Sequence, residues 1–240
     1  MRSACYKAKP QANSFGKFEV EKQLKSDAFG CIETGHWVNA QGHTPAIRRK
    51  YTKVAWLRPI ALILANNEKR ALRKLGALAS AGQVPQLLAV DPDFHIRSFI
   101  EAEVLYRMDK QAMPRQFYQD GMELIRKMRR YGVCNNDLAK QANWLVRTSD
   151  GKPVLVDFQL ALCFKDIHSK LFLTLCREDL RHILKHKRDY YPVSASERKI
   201  LNTKSVPTRI WMATGKKVYL FWTRKVLGWK DRTGPYERDF

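Results

Sequence analysis

Asn135-Asn136-Asp137-Leu138-Ala139-Lys140-Gln141-Ala142-Asn143-Trp144-Leu145-Val146 is followed, across a turn at Ser149-Asp150-Gly151, by Val154-Leu155-Val156-Asp157-Phe158-Gln159. Two short apolar runs read here as paired strands, with polar residues at their ends. Asp137, Asn143 and Asp157 then sit in loops, where a rigid hairpin holds polar groups at the mouth of a cleft. Two carboxylates and a carboxamide are hard oxygen ligands of the kind that suits Mg²⁺ or Mn²⁺. Magnesium takes only one or two protein carboxylates and completes its shell with phosphate and water, so this set points to ATP chemistry. Taken singly, an Asn-Asp or Asp-Phe pair is an ordinary turn dipeptide; the order and spacing of the whole stretch give it meaning.

Upstream, the hydrophobic period is that of strands. Phe18 to Leu24 begins in alternation, Ser26-Asp27-Ala28-Phe29-Gly30 is a turn, and Cys31 to Val38 returns as the second arm of a hairpin. Pro45 to Thr52 is a third strand, with Ala46, Arg48 and Lys50 on one face and Ile47, Arg49 and Tyr51 on the other. Helical spacing from Arg58 to Ala81 aligns Leu64, Glu68, Leu72 and Leu75, and Gly82 is the stop. Val84 to Val90 and Phe94 to Ile100 flank the turn Asp91-Pro92-Asp93. Downstream, a helix is predicted from Pro114 to Arg130, burying Phe117, Gly121, Leu124, Ile125 and Met128. Further helices are predicted over Lys170 to Lys187 and Ser196 to Leu201.

The motif N-N-D-L-x-x-x-x-N-W-L-V…V-L-V-D-F-Q resembles the catalytic and metal loops of the protein-kinase-like superfamily, and is most similar to its small bacterial and atypical members: RIO-type serine/threonine kinases and lipopolysaccharide core sugar kinases. The order strand, glycine turn, strand, strand, helix, strand, strand matches the small lobe of such a protein. The resemblance spans about residues 18 to 185. It implies an α+β, two-lobed protein-kinase-like fold: a small antiparallel sheet plus one helix in an N-lobe (1–100), and a mainly helical C-lobe (101–240), with Arg97 to Glu103 as connecting strand and hinge. It also implies roles. Asp137 would be the catalytic base and Lys140 would neutralise the moving phosphoryl charge, while Asn143 and Asp157 would bind Mg²⁺ or Mn²⁺ and ATP. Gly30 would belong to the nucleotide-covering turn. Arg48, in Pro45-Ala46-Ile47-Arg48 where the family has V-A-I-K, would pair with Glu68, and Lys50 is the alternative cation. Asp179 would buttress the catalytic loop by accepting its backbone N–H groups.

The chain also departs from the family pattern. Arg48 stands for a lysine, Gln159 for a glycine, and Asn135-Asn136 for His-Arg; the gap from Asp137 to Asn143 is one residue longer, and no A-P-E follows the metal loop. The short segment from Leu160 to Lys170 points to a small acceptor as well as to a peptide. The implied function is therefore ATP- and metal-dependent phosphoryl transfer to a protein serine or threonine. The alternatives are a lipopolysaccharide core sugar acceptor at the inner membrane face, and a non-catalytic kinase-like protein that binds anionic membrane or nucleic acid.

Composition bounds these readings. The 240 residues carry 44 Lys and Arg against 23 Asp and Glu, a net charge of +21, so the partner is acidic. The stretch from Lys204 to Lys230 interleaves Arg209, Lys216, Lys217, Arg224 and Lys225 with Trp211, Tyr219, Phe221, Trp222 and Trp229, a pattern suited to anionic lipid and, less well, to nucleic acid. Lys53 to Leu62, with Trp56 and Arg58, supports the lipid reading. The five cysteines contain no C-x-x-C, and no apolar run approaches the about 20 residues of a membrane span. A cytoplasmic protein is expected, with peripheral contact at the inner membrane face as the second placement. His182 and His186, four apart, read as structural rather than metal-binding.

Overall fold

A computed structural model describes residues 16–40, 42–109 and 113–203 of the chain. Its first half is one antiparallel sheet. β1 (Lys17–Asp27), β2 (Gly30–Asn39) and β3 (Gly42–Tyr51) run up and down. After α1 (Arg58–Lys74) and α2 (Gly76–Ser80), β4 (Leu87–Val90) and β5 (Phe94–Ser98) complete the order β1-β2-β3-β5-β4. The β1–β2 turn needs its glycine. Gly30 has φ of 148°, and a Cβ there would lie 1.9 Å from the Lys50 carbonyl oxygen, so only a bare Cα lets β2 and β3 approach.

Two departures from the predicted elements have plain causes. The helix over Arg58 to Ala81 is two helices, because Leu75 leaves helical geometry (φ −92°, ψ 18°) just before Gly76, a poor helix former. The strands over Val84 to Val90 and Phe94 to Ile100 are shorter than predicted. Their outer residues are used as connections: Ser98 N–H donates to the Gln86 carbonyl, and Phe99 N–H to that of Pro45.

The chain leaves the sheet at Ser98 and enters β6 (Ala102–Val104), followed by a 3₁₀ turn and α3 (Arg115–Arg130). The predicted stripe of α3 is the buried one: Phe117, Gly121, Leu124, Ile125 and Met128 all face inward, joined by Tyr118. Gly132, at φ of 69°, turns the chain out of α3 into β7 (Val133–Cys134). β8 (Trp144–Arg147) and β9 (Pro153–Leu155) form the hairpin read from the sequence, with β6 on its outer edge. β10 (Leu162–Cys163) pairs with β7, and α4 (Lys170–Arg188) and α5 (Ala195–Asn202) follow. A single apolar cluster joins α1, α3 and the hairpin through Leu72, Leu75, Phe117, Leu124, Trp144, Leu155 and Phe158.

Polar contacts tie the two halves. Leu155 N–H donates to the Gln83 carbonyl, and the Arg147 guanidinium donates to the Ala81 and Gly82 carbonyls. Lys74 reaches the Phe164 carbonyl at 2.8 Å. The basic and aromatic stretch from Lys204 to Lys230 lies outside the described residues. Among the described residues no helix is long and apolar enough to cross a membrane.

Candidate functional site

β7 delivers the chain into Asn135-Asn136-Asp137, and two residues hold this loop. Asp179 on α4, fully buried, accepts the Asn135 N–H at 2.7 Å and the Asn136 N–H at 3.0 Å, the buttress expected of it. Burial pushes the Asp179 carboxyl up to about 7, against the two N–H donors that pull it down. The second residue, Asn135, was not singled out in the sequence. Its side-chain Oδ1 accepts the Asp137 N–H at 3.0 Å and its side-chain amide donates to the Asp157 carbonyl at 3.0 Å, so one buried side chain joins the two loops. An Asn two residues before an Asp carries no pattern that would have revealed this bridge.

Asp137, Lys140 and Asn143 come together. Lys140 Nζ is 2.8 Å from Asp137 Oδ2, and the Asn143 amide donates to the same oxygen at 3.1 Å and to the Asp137 carbonyl at 2.9 Å. Burial raises the Asp137 carboxyl above its ordinary range; Lys140 and Asn143 oppose the shift, while the charge of Asp157 adds to it. A carboxylate so raised is better matched to taking up a proton near neutrality. The chain reaches Asn143 through a 3₁₀ turn, Gln141–Asn143.

Asp157 follows β9 in the left-handed region (φ of 61°), a conformation that Asp and Asn tolerate better than most residues; Asn136 shares it (φ of 64°). Gln159 reaches back to Asp157 Oδ1 with its amide at 2.9 Å and its backbone N–H at 3.3 Å. Phe158 is buried in the central cluster, and Asn67 on α1 donates to the Gln159 carbonyl at 3.2 Å. The Asp157 loop is thereby attached to the first-half helix. Among the described residues no group of three His, Cys, Asp or Glu is placed to hold a metal. Two carboxylates and a carboxamide instead match a cation that takes most of its shell from phosphate and water.

The predicted Arg48–Glu68 pair does not form. Arg48 lies on the other face of the sheet, where its Nη2 is 2.7 Å from Glu33 Oε2 and its guanidinium lies 4.7 Å from the centre of the Phe18 ring. Lys50 is on that same face and binds Glu33 Oε1 at 2.9 Å. The cause is the pleat: α1 packs through Ala61 and Ala65 on Tyr51, so the side of β3 facing the helix is that of Ile47, Arg49 and Tyr51. Glu68, wholly buried, is met there by Arg97 of β5 at 3.0 Å and Arg49 at 3.9 Å, with His95 Nε2 at 3.4 Å. Burial pushes the Glu68 carboxyl up, but Arg97, His95 and Arg49 together outweigh it and hold the group well below the usual carboxylate range. Burial also raises the Tyr51 phenol, whose hydroxyl lies 2.9 Å from His95 Nδ1.

Gly30 closes the β1–β2 turn, where the Asp27 carboxylate accepts the Phe29 N–H at 2.9 Å. His186 Nε2 bonds the Leu138 carbonyl at 2.8 Å and so braces the Asp137 loop, in keeping with the structural reading of that histidine.

No protein-family model and no curated protein matches the sequence. Solved structures do match by shape. The Rio2 kinase from Chaetomium thermophilum aligns with a TM-score of 0.52 at 16% identity, over 73% of this chain and 60% of that one. Its ADP/Mg²⁺-phosphoaspartate complex aligns with a TM-score of 0.55 at 14% identity, over 87% of this chain and 69% of that one. At this identity the likeness establishes the fold: a two-lobed protein-kinase-like architecture with an antiparallel N-terminal sheet and a helical second half.

Proposed function

We propose that the chain is an ATP- and Mg²⁺-dependent phosphotransferase acting on a hydroxyl acceptor, with a protein serine or threonine as first choice. The observation that carries this is the convergence of Asp137, Lys140 and Asn143 beside the Asp157 loop, fixed from behind by Asn135 and Asp179. The Rio2 complex holds ADP and Mg²⁺ in the same fold, which supports a nucleotide and a magnesium ion here; Mn²⁺ is the alternative metal. Bound metal would neutralise charge on the phosphates.

The protein supplies the rest. Asp137 orients the acceptor hydroxyl and accepts its proton, and Lys140 places a cation beside the same oxygen. With its amide donors given to Asp137, Asn143 has its side-chain oxygen to offer a cation, as Asp157 has its carboxylate. Arg49, and not Arg48, is the β3 cation on the nucleotide side, held with Arg97 by Glu68. Gly30 and its turn cover the nucleotide.

A lipid-linked sugar is the second acceptor class, favoured by the short connection of residues 159–169 between the metal loop and α4, which leaves little chain for a peptide platform. The working placement is the cytoplasm, at or near the inner membrane face. Incubating the full chain with radiolabelled ATP and Mg²⁺, with a generic basic protein or with a core glycolipid, separates the acceptors. Asp137→Asn is expected to lower transfer by about 10²-fold or more while nucleotide affinity holds. Full transfer by that variant would remove Asp137 from the base role, and no ATP use with either acceptor would favour a non-catalytic binding protein.

A further inference from the structure

α1 has two sides with different duties. Its inner side carries Ala61, Ala65, Glu68 and Leu72 into the sheet and core, and Asn67 reaches the metal loop. On its outer side, and on the turn that leads into it, large apolar side chains stand in solvent. Trp56 is 64% exposed and Ile63 is 61% exposed, with Val54 and Ile60 also exposed. Positions 56, 60 and 63 are spaced i, i+4, i+7, so they share one stripe of the helix and its entry turn. Further along the same outward side come the exposed Arg70 and Arg73, and exposed Lys53 precedes the ridge.

The charge carried by this segment is almost wholly positive. From Lys53 to Val90 the only acidic residue is Glu68, which is wholly buried; Lys53, Arg58, Lys69, Arg70, Arg73 and Lys74 fall in the same span. Arg58 is engaged by Asp93 at 2.7 Å and Lys74 by backbone carbonyls, which leaves Lys53, Arg70 and Arg73 as the exposed cations flanking the apolar tip. A tryptophan and two isoleucines at a tip, cations on either side, and a nearby exposed carboxylate, Asp93, already held by Arg58, match a bilayer interface. The rings and aliphatic groups enter the acyl boundary while the cations meet anionic headgroups. We infer that the outer face of α1, with its entry turn, is a docking surface for an anionic lipid bilayer, inserting Trp56, Ile60 and Ile63.

This surface acts without nucleotide, so its test is independent of phosphoryl transfer. The full chain is floated with vesicles of phosphatidylethanolamine and phosphatidylglycerol, and with vesicles of phosphatidylcholine alone. Wild type should float with the anionic vesicles, and less so with the neutral ones or in high salt. Trp56→Ser/Ile63→Ser should lower partitioning by about tenfold or more at an unchanged thermal midpoint. Arg70→Glu/Arg73→Glu should weaken binding to the anionic vesicles selectively. Ile63→Gln alone, at a solvent-facing position, gives the same direction of change if the double variant folds poorly. Failure of wild type to bind anionic vesicles would overturn the inference. Unchanged binding by the ridge variants would do the same, as would a soluble dimer that Trp56→Ser dissociates.

Discussion

Glu68 shows how a single buried charge is made tolerable. Its two oxygens face Arg97, Arg49 and His95, so removing the charge strands cations that have little water to turn to. Glu68→Gln should cost about 3–5 kcal/mol, read from chemical denaturation. The pH dependence has a definite sign. The folded carboxyl titrates below its unfolded value of about 4.3, so the stabilisation is fully present above that pH and is lost as pH falls beneath it. Wild type should lose denaturant midpoint between pH 5 and 3 more steeply than the Gln variant; parallel profiles would show that the cluster carries no net charge coupling. Asp137 shifts the other way, raised by burial despite Lys140, the direction that the proposed base role needs.

At the scale of elements, β3 is where sequence and structure part. Alternation correctly separated Ala46, Arg48 and Lys50 from Ile47, Arg49 and Tyr51, yet the run Arg48-Arg49-Lys50 puts cations on both faces. Nothing local therefore says which face α1 covers; packing of Ala61 and Ala65 on Tyr51 decides it. Two substitutions separate the roles. Arg48→Ala should destabilise the sheet by leaving Glu33 with Lys50 as its remaining cation, with MgATP affinity unchanged, whereas Arg49→Ala should weaken MgATP binding by about tenfold in a calorimetric titration. The opposite ranking would return Arg48 to the nucleotide side. α3 was legible because its apolar stripe is regular and its stop is a glycine. That Asp137 and Asn143 would meet was legible through the motif's resemblance to a known loop. Asn135, Arg97 and the β7–β10 pairing were not, since each acts on a partner more than 20 residues away, and no local period encodes such a contact.

Across the whole molecule, the Asp137 and Asp157 loops are clamped between the two halves. Asn67 and Lys74 on α1 grip the segment after β9, and Asp179 and His186 on α4 grip the loop after β7. If the proposed function holds, a nucleotide bound at these loops stabilises the folded chain as a unit, since a ligand that binds only the folded state raises apparent stability by mass action. The most direct test is a thermal-shift titration with ATP, with and without Mg²⁺, on wild type and Asp157→Asn. A midpoint that rises with ATP only when Mg²⁺ is present, and that Asp157→Asn abolishes, is the predicted result. No shift at millimolar MgATP, or an equal shift in the variant, would contradict a metal-dependent nucleotide site built on Asp157.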